Sequence, residues 1–221
     1  FWLILIGSFF SGLFMFFFFF FYQNISNPLG EIALKLESMS NGDIDQKFEY
    51  QGTDEIGRLG ASFRSMIGYI SNVADSANHL AAGDLSRKVE VRSNKDVLSQ
   101  NINRAVDSLQ SLIDETDKLT RNSRDGEINV RGNTEKFDGS YRDLIKGINE
   151  MLDAVVTPIN EASDVLERIA GRDLTAKVVG NYKGAFAKIK ESLNTASGNL
   201  DDGLSHVALS ADQVASAAEQ I

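Results

Sequence analysis

The sequence predicts an all-α protein. One transmembrane helix leads into tandem helix–connector–helix units, each completed as a parallel four-helix coiled coil in a homodimer, and these run into a long coiled coil. Three observations carry this reading. Residues 1–30 contain no charged side chain, the first being Glu31. Beyond them, apolar residues recur at alternating intervals of three and four, the spacing of a narrow heptad seam. An acidic-plus-aliphatic pair also returns four times, as Asp43-Ile44, Asp84-Leu85, Glu127-Ile128 and Asp173-Leu174, at separations of 41, 43 and 46 residues. Repetition at such a period marks stacked supersecondary units.

Residues 1–24 form the predicted transmembrane helix. The run Phe1–Tyr22 is almost wholly apolar and includes six consecutive phenylalanines, Phe16–Phe21. As a helix it spans about 33 Å, enough to cross a bilayer. A secretory signal is disfavoured because a basic leader and a small-residue cleavage site are both missing. Trp2 and Tyr22 stand near the two ends, as interfacial aromatics do. Gly7/Ser11 and Ser8/Gly12 are small residues four apart, a spacing that permits close helix contact in lipid.

After Pro28, a short seam runs Leu29, Ile32, Leu36, Met39 and closes at Gly42-Asp43-Ile44. A polar connector follows, broken by Phe48 and Tyr50. The stretch Asp54–Leu85 then reads as one long helix shared by two units, with its seam at Ile56, Leu59, Phe63, Met66, Ile70, Val73, Ala77 and Leu80. Asp54-Glu55 places negative charge at its N-terminus, and Gly83-Asp84-Leu85 closes it. Later seams run Leu98–Leu119, Tyr141–Ile169 straight through Pro158, and Phe186–Ile221 with a stutter at Leu204.

Four residues beyond each aliphatic stand Phe48, Val89, Gly132 and Val178, so three of the four copies keep an apolar residue there. The third copy is the weak one: Gly132 breaks the pattern, and Thr116, Thr120 and Ser123 fall on its seam. A connector of about a dozen residues is too long for an antiparallel hairpin, which needs about 2–5. Extended, it can run back along a helix, leaving the two helices of a unit parallel with the spaced apolar pair pinned between them. Two such helices bury too little to stand alone, so a second copy is expected to complete each unit.

This combination resembles the HAMP module of bacterial transmembrane receptors. The resemblance rests on Pro28, Gly42, Ile44 and Phe48, and on Asp54-Glu55-Ile56-Gly57 opening the second helix. Gly83, Leu85 and Val89 with Asp96-Val97 repeat it, and Pro158, Leu174 and Val178 repeat it again. It implies module 1 at 25–71, module 2 at 69–112, a degenerate module 3 at 113–157 and module 4 at 158–203, with a signalling coiled coil starting at 204–221. In such modules Asp54 and Glu55 cap the second helix and hold the connector. Module 4 lacks an acidic pair at that point and has Gly-Asn-Tyr-Lys-Gly at 180–184 instead.

Phe137–Asn149 and Ala208–Gln220 further resemble methyl-accepting chemotaxis receptors, where Glu219-Gln220 loosely fits a methylation pair. That resemblance implies a parallel homodimer in the inner (plasma) membrane, cytoplasmic after about residue 24. It also implies a chemotaxis coupling protein and kinase as partners, reached through sequence beyond Ile221. A relay segment of a membrane histidine kinase or cyclase is the alternative, and a plain coiled-coil spacer is the third reading. A spacer would explain the seams but not the repeated connector pairs.

Composition narrows the chemistry. The 221 residues contain no cysteine, which removes disulfides, thiolate zinc sites and cysteine nucleophiles. Asp plus Glu outnumber Lys plus Arg by 31 to 22, for a formal net charge of −9, which disfavours nucleic acid as a partner. His79 and His206 are the two histidines and read as surface residues. Glycines 126 and 132 have no strand before them, so a dinucleotide loop fails its context. No catalytic, metal or cofactor site is expected, and the chain is not expected to be an enzyme.

Overall fold

A computed structural model describes residues 1–218. Glu219-Gln220, the loose methylation pair, lies outside them. The described chain is helical with extended connectors: α1 Trp2–Phe21, α2 Asn27–Ser40, α3 Glu55–Ala81, α4 Val97–Arg124, α5 Gly139–Ala170 and α6 Ala185–Ala218. The tandem helical architecture is the one the repeat predicts. It falls into two compact bodies, Phe1–Gln110 and Ser111–Ile221.

In the first body, α1 buries none of its residues, and Phe16 through Phe21 are each more than half exposed. An apolar helix of this length with a bare surface is suited to lipid. The sequence places a new helix start near Pro28, but the helical stretch is continuous from Trp2 to Ser40. Proline lacks an N–H and crowds the preceding turn. A π-turn at Tyr22–Ser26, just before Pro28, absorbs that defect, and the Asn24 side-chain amide donates to the Phe20 carbonyl at 2.9 Å. Pro28 itself is buried.

Helix α3 begins with a true cap. The Asp54 carboxylate accepts from the Gly57 amide at 2.8 Å and from the Tyr50 hydroxyl at 2.8 Å. The helix ends at Ala81, four residues short of the predicted Leu85, and Gly83 turns the chain with φ +81°. Glycines 42 and 126 do the same ahead of Asp43 and Glu127. At the fourth repeat the left-handed position is filled by Arg172, φ 71°, at a conformational cost of about 1–2 kcal/mol.

The second connector runs antiparallel to the helices on both sides, the fourth runs antiparallel to α6, and hydrogen bonds establish the direction. Along α3, Ser76 donates to the Arg87 carbonyl and Tyr69 reaches Asp96, so later connector residues meet earlier helix residues. Along α4, Lys88 pairs with Asp107 and Val89 with Asn103. In the second body, Leu174 meets Ser197, Val178 meets Asn194, and Gly180 meets Lys190. The helices α3 and α4 that flank the second connector are therefore parallel.

Candidate functional site

The first, second and fourth connectors are each pinned by a buried apolar residue. Phe48 packs with Ile32 and Phe63, its ring edge-on to Phe63 at 6.2 Å between centroids. Val178 packs with Val165 and Ala176, and Val89 is likewise buried. Ile44, Leu85 and Leu174, the first apolar positions, are half-buried. Gly57 lies against the Gly52 carbonyl so closely that no side chain fits, which explains the glycine within Asp-Glu-Ile-Gly. Glu55 sits exposed in the first turn of α3, where its charge meets the helix N-terminus.

Module 3 inverts the arrangement. A Cβ on Gly132 would fall 2.7 Å from Ile145 Cγ2 and 3.2 Å from Leu119 Cδ1. Ile145, on α5, is fully buried and fills the space that the connector side chain fills elsewhere. Thr116 and Thr120 turn their hydroxyls onto carbonyls of their own helix, so both seam threonines are satisfied.

A second layer of the site is made of polar clamps that the repeat pattern does not reveal. The Asn103 side chain bonds the Val89 amide and carbonyl, both at 2.9 Å. Asn149 does the same to Gly132 and Asn194 to Val178, at 2.8–3.0 Å. Both ends of each amide are thereby used on one residue's backbone, fixing connector register as a strand partner would. In module 1 Arg64 replaces the asparagine and bonds only carbonyls, those of Phe48 and Tyr50. The signal that the repeat pattern misses is an asparagine 14 to 17 residues after Val89, Gly132 and Val178.

Carboxylates complete the site. Glu115 on α4 is 4% exposed, accepts from the Asn133 amide and pairs with Lys136 at 3.1 Å. Glu161 on α5 accepts from the Val179 and Gly180 amides and from the Tyr182 hydroxyl. Glu161 thus supplies the carboxylate that module 4 lacks at the start of its second helix. In module 2 Asp96 takes bonds from Tyr69, the Arg92 amide and the Ser99 amide. The Tyr69 hydroxyl holds Asp96 well below the usual carboxylate range, with the Arg92 amide next. His79 meets Asp84 at 2.9 Å, tying the end of α3 to the connector it leads into.

The Tyr182 hydroxyl, then the Gly180 and Val179 amides, hold Glu161 below its ordinary value. A depressed carboxylate stabilises the fold fully above its unfolded pKa, about 4.3, and that stability is lost as pH falls through the folded value. Glu161→Gln is therefore expected to lower thermal stability at pH 6. The gap from wild type should narrow as pH falls below about 4.3. A gap independent of pH would show that Glu161 is not ionised in the fold.

The contacts that build the site are apolar packing, hydrogen bonds and ion pairs. No group of three or more potential metal ligands occurs among the described residues. What it can do is set the register and tilt of two parallel helices through a strap whose attachments are discrete.

Comparison with known proteins agrees with this geometry. A HAMP domain family model matches residues 20–72 and 64–111, and a second HAMP domain model matches 136–202. The overlap at 64–72 falls on α3, the helix that serves both of the first two modules. A protein of Acetivibrio thermocellus, named as a sensory transducer, is 28% identical over 89 residues. That stretch is 40% of this chain and 16% of the relative's length. With matches across well over half its length and an apolar helix ahead of them, the chain belongs to the HAMP-domain signal-transducing proteins.

Proposed function

We propose that this chain carries a conformational signal from an extracytoplasmic sensor, through four HAMP-type modules, to a cytoplasmic chemotaxis signalling region. The chain acts as a relay and not as an enzyme. It sits in the inner membrane as a parallel homodimer, cytoplasmic after about residue 24. The coupling protein and kinase of chemotaxis engage sequence beyond Ile221.

One observation supports the homodimer most directly. Helices α3 and α5 carry apolar residues on two sides, and a connector covers one of them. On that side Phe63 packs with Phe48, and Val165 packs with Ala176 and Val178. Seam residues Leu59, Met66, Leu98, Val155, Ile159, Leu166 and Leu200 remain 38–53% exposed. Half-exposed apolar seam residues of this kind, present in each body, are what a second copy would cover.

Cysteines placed singly at Leu59 and Met66 are expected to crosslink to their own symmetry mates in native membranes. A cysteine at Phe63, packed against Phe48, should crosslink far less. Uncrosslinked chains that also run as monomers in mild detergent would overturn the homodimer.

A further inference from the structure

The four modules differ in how the first helix holds the connector. In module 2, α3 reaches the strap through Tyr69 to Asp96, Ser76 to the Arg87 carbonyl, and the Ser65 carbonyl and hydroxyl, which accept from Arg92. In module 3, α4 does so through Glu115, and in module 4, α5 does so through Glu161. Each of these is a hydrogen bond between a helix and a strap that would have to slide past one another.

Module 1 is different. Among the described residues, no side chain of α2 hydrogen-bonds the connector or α3. The helix is attached by apolar contact, with Ile32 and Met39 against Phe48, Tyr50, Phe63 and Ile67. The polar bonds of the first connector go to the second helix instead, from Arg64 and through the Tyr50–Asp54 pair.

The residue for a lock is nevertheless present. Glu31 stands two positions beyond Leu29, as Glu115 and Glu161 stand two beyond Ile113 and Ile159. Glu31 is drawn into an ion pair with Lys35 on its own helix at 3.3 Å. The position opposite also differs. Four residues beyond Gly132 and Val178 stand Lys136 and Tyr182, but four beyond Phe48 stands Gly52. Gly52 has no side chain to offer a carboxylate.

We propose that the membrane-adjacent module is the yielding element of the array, its α2 able to shift against the connector while the first helices of the other three are bonded to theirs. Apolar contact is non-directional and tolerates rotation and sliding. A hydrogen bond to an ionised group is directional and strong, and breaking it leaves polar groups unsatisfied. Displacement entering from α1 would therefore be taken up first in module 1, and the pinned modules would pass on only what that module delivers. The proposal builds on the relay reading, but the attachment it describes can be measured without any signalling output.

The test is hydrogen–deuterium exchange on the full chain in lipid nanodiscs, followed at the four connectors. Amides of residues 44–51 should exchange at least about tenfold faster than those of 87–92, 130–136 and 175–182, the scale expected for charge-assisted bonds. Glu161→Ala should accelerate 175–182 by about the same factor and leave 44–51 unchanged. A first connector protected as well as the others would overturn the proposal. So would an E161A chain whose fourth connector is unaffected. Loss of the relay itself would appear elsewhere, as output indifferent to the phase of α3, and would leave this exchange ranking intact.

Discussion

Inserting two residues into α3 after Ile70 is expected to lock or abolish output of the full-length receptor, whereas inserting seven at the same place should preserve dimeric packing and part of the response. Helix α3 is unbroken from Glu55 to Ala81. It buries Phe63 against the first connector, and Val73 and Ser76 on the side of the second. Two extra residues rotate everything downstream by about 200°. Val73 would then turn towards solvent, and Ser76 would lose the Arg87 carbonyl. Seven residues add about two turns and return the seam to within about 20°. Membrane insertion depends on residues before Pro28 and should be the same for both. Ligand-dependent output in cells, with crosslinking through a cysteine at Met66, reads the result. Equal output from the two insertions would mean that the first two modules are flexibly tethered, and relay along α3 would have to be abandoned.

The heptad intervals and the fourfold acidic-aliphatic pair are enough to read the helices and connectors, because both depend on residue type at a regular spacing. The clamps are harder to see. Asn103, Asn149 and Asn194 lie at offsets that vary by up to three residues, since each connector bends differently before it meets the next helix. Glu115 and Glu161 do keep one offset, but on sequence alone a glutamate on a helix is indistinguishable from a solvated one. Phe63 shows a different limit. Heptad spacing places it in the seam, yet it faces the connector of its own chain at 4% exposure, whereas Met66 on the same seam is 38% exposed. Periodicity reports that a residue is on an apolar face, not which neighbour covers it. The π-turn before Pro28 is equally hidden, because Tyr22–Ser26 carries no composition of its own and exists to accommodate the proline that follows.

Gly132 and Ile145 should show the strongest coupling between two positions anywhere in the array. In module 3 the helix supplies the pin and the connector supplies the gap, so the two residues compete for one volume. Gly132→Val drives a side chain into the Ile145 branch methyl, 2.7 Å from the new Cβ, and into Leu119. Ile145 is completely buried and cannot swing away, so the overpacking should cost about 1–3 kcal/mol. Ile145→Ala empties the same place and should cost about 2–5 kcal/mol. Together, Gly132→Val and Ile145→Ala rebuild the arrangement of modules 2 and 4, with an aliphatic connector residue as the pin. The Asn149 clamp reaches Gly132 through backbone atoms alone and is retained. The double variant should therefore be more stable than the sum of the singles by about 1–2 kcal/mol. Native-state hydrogen exchange across residues 129–136 measures all three opening energies. Strict additivity would mean that Gly132 and Ile145 do not share a volume, and the inverted packing of module 3 would be wrong.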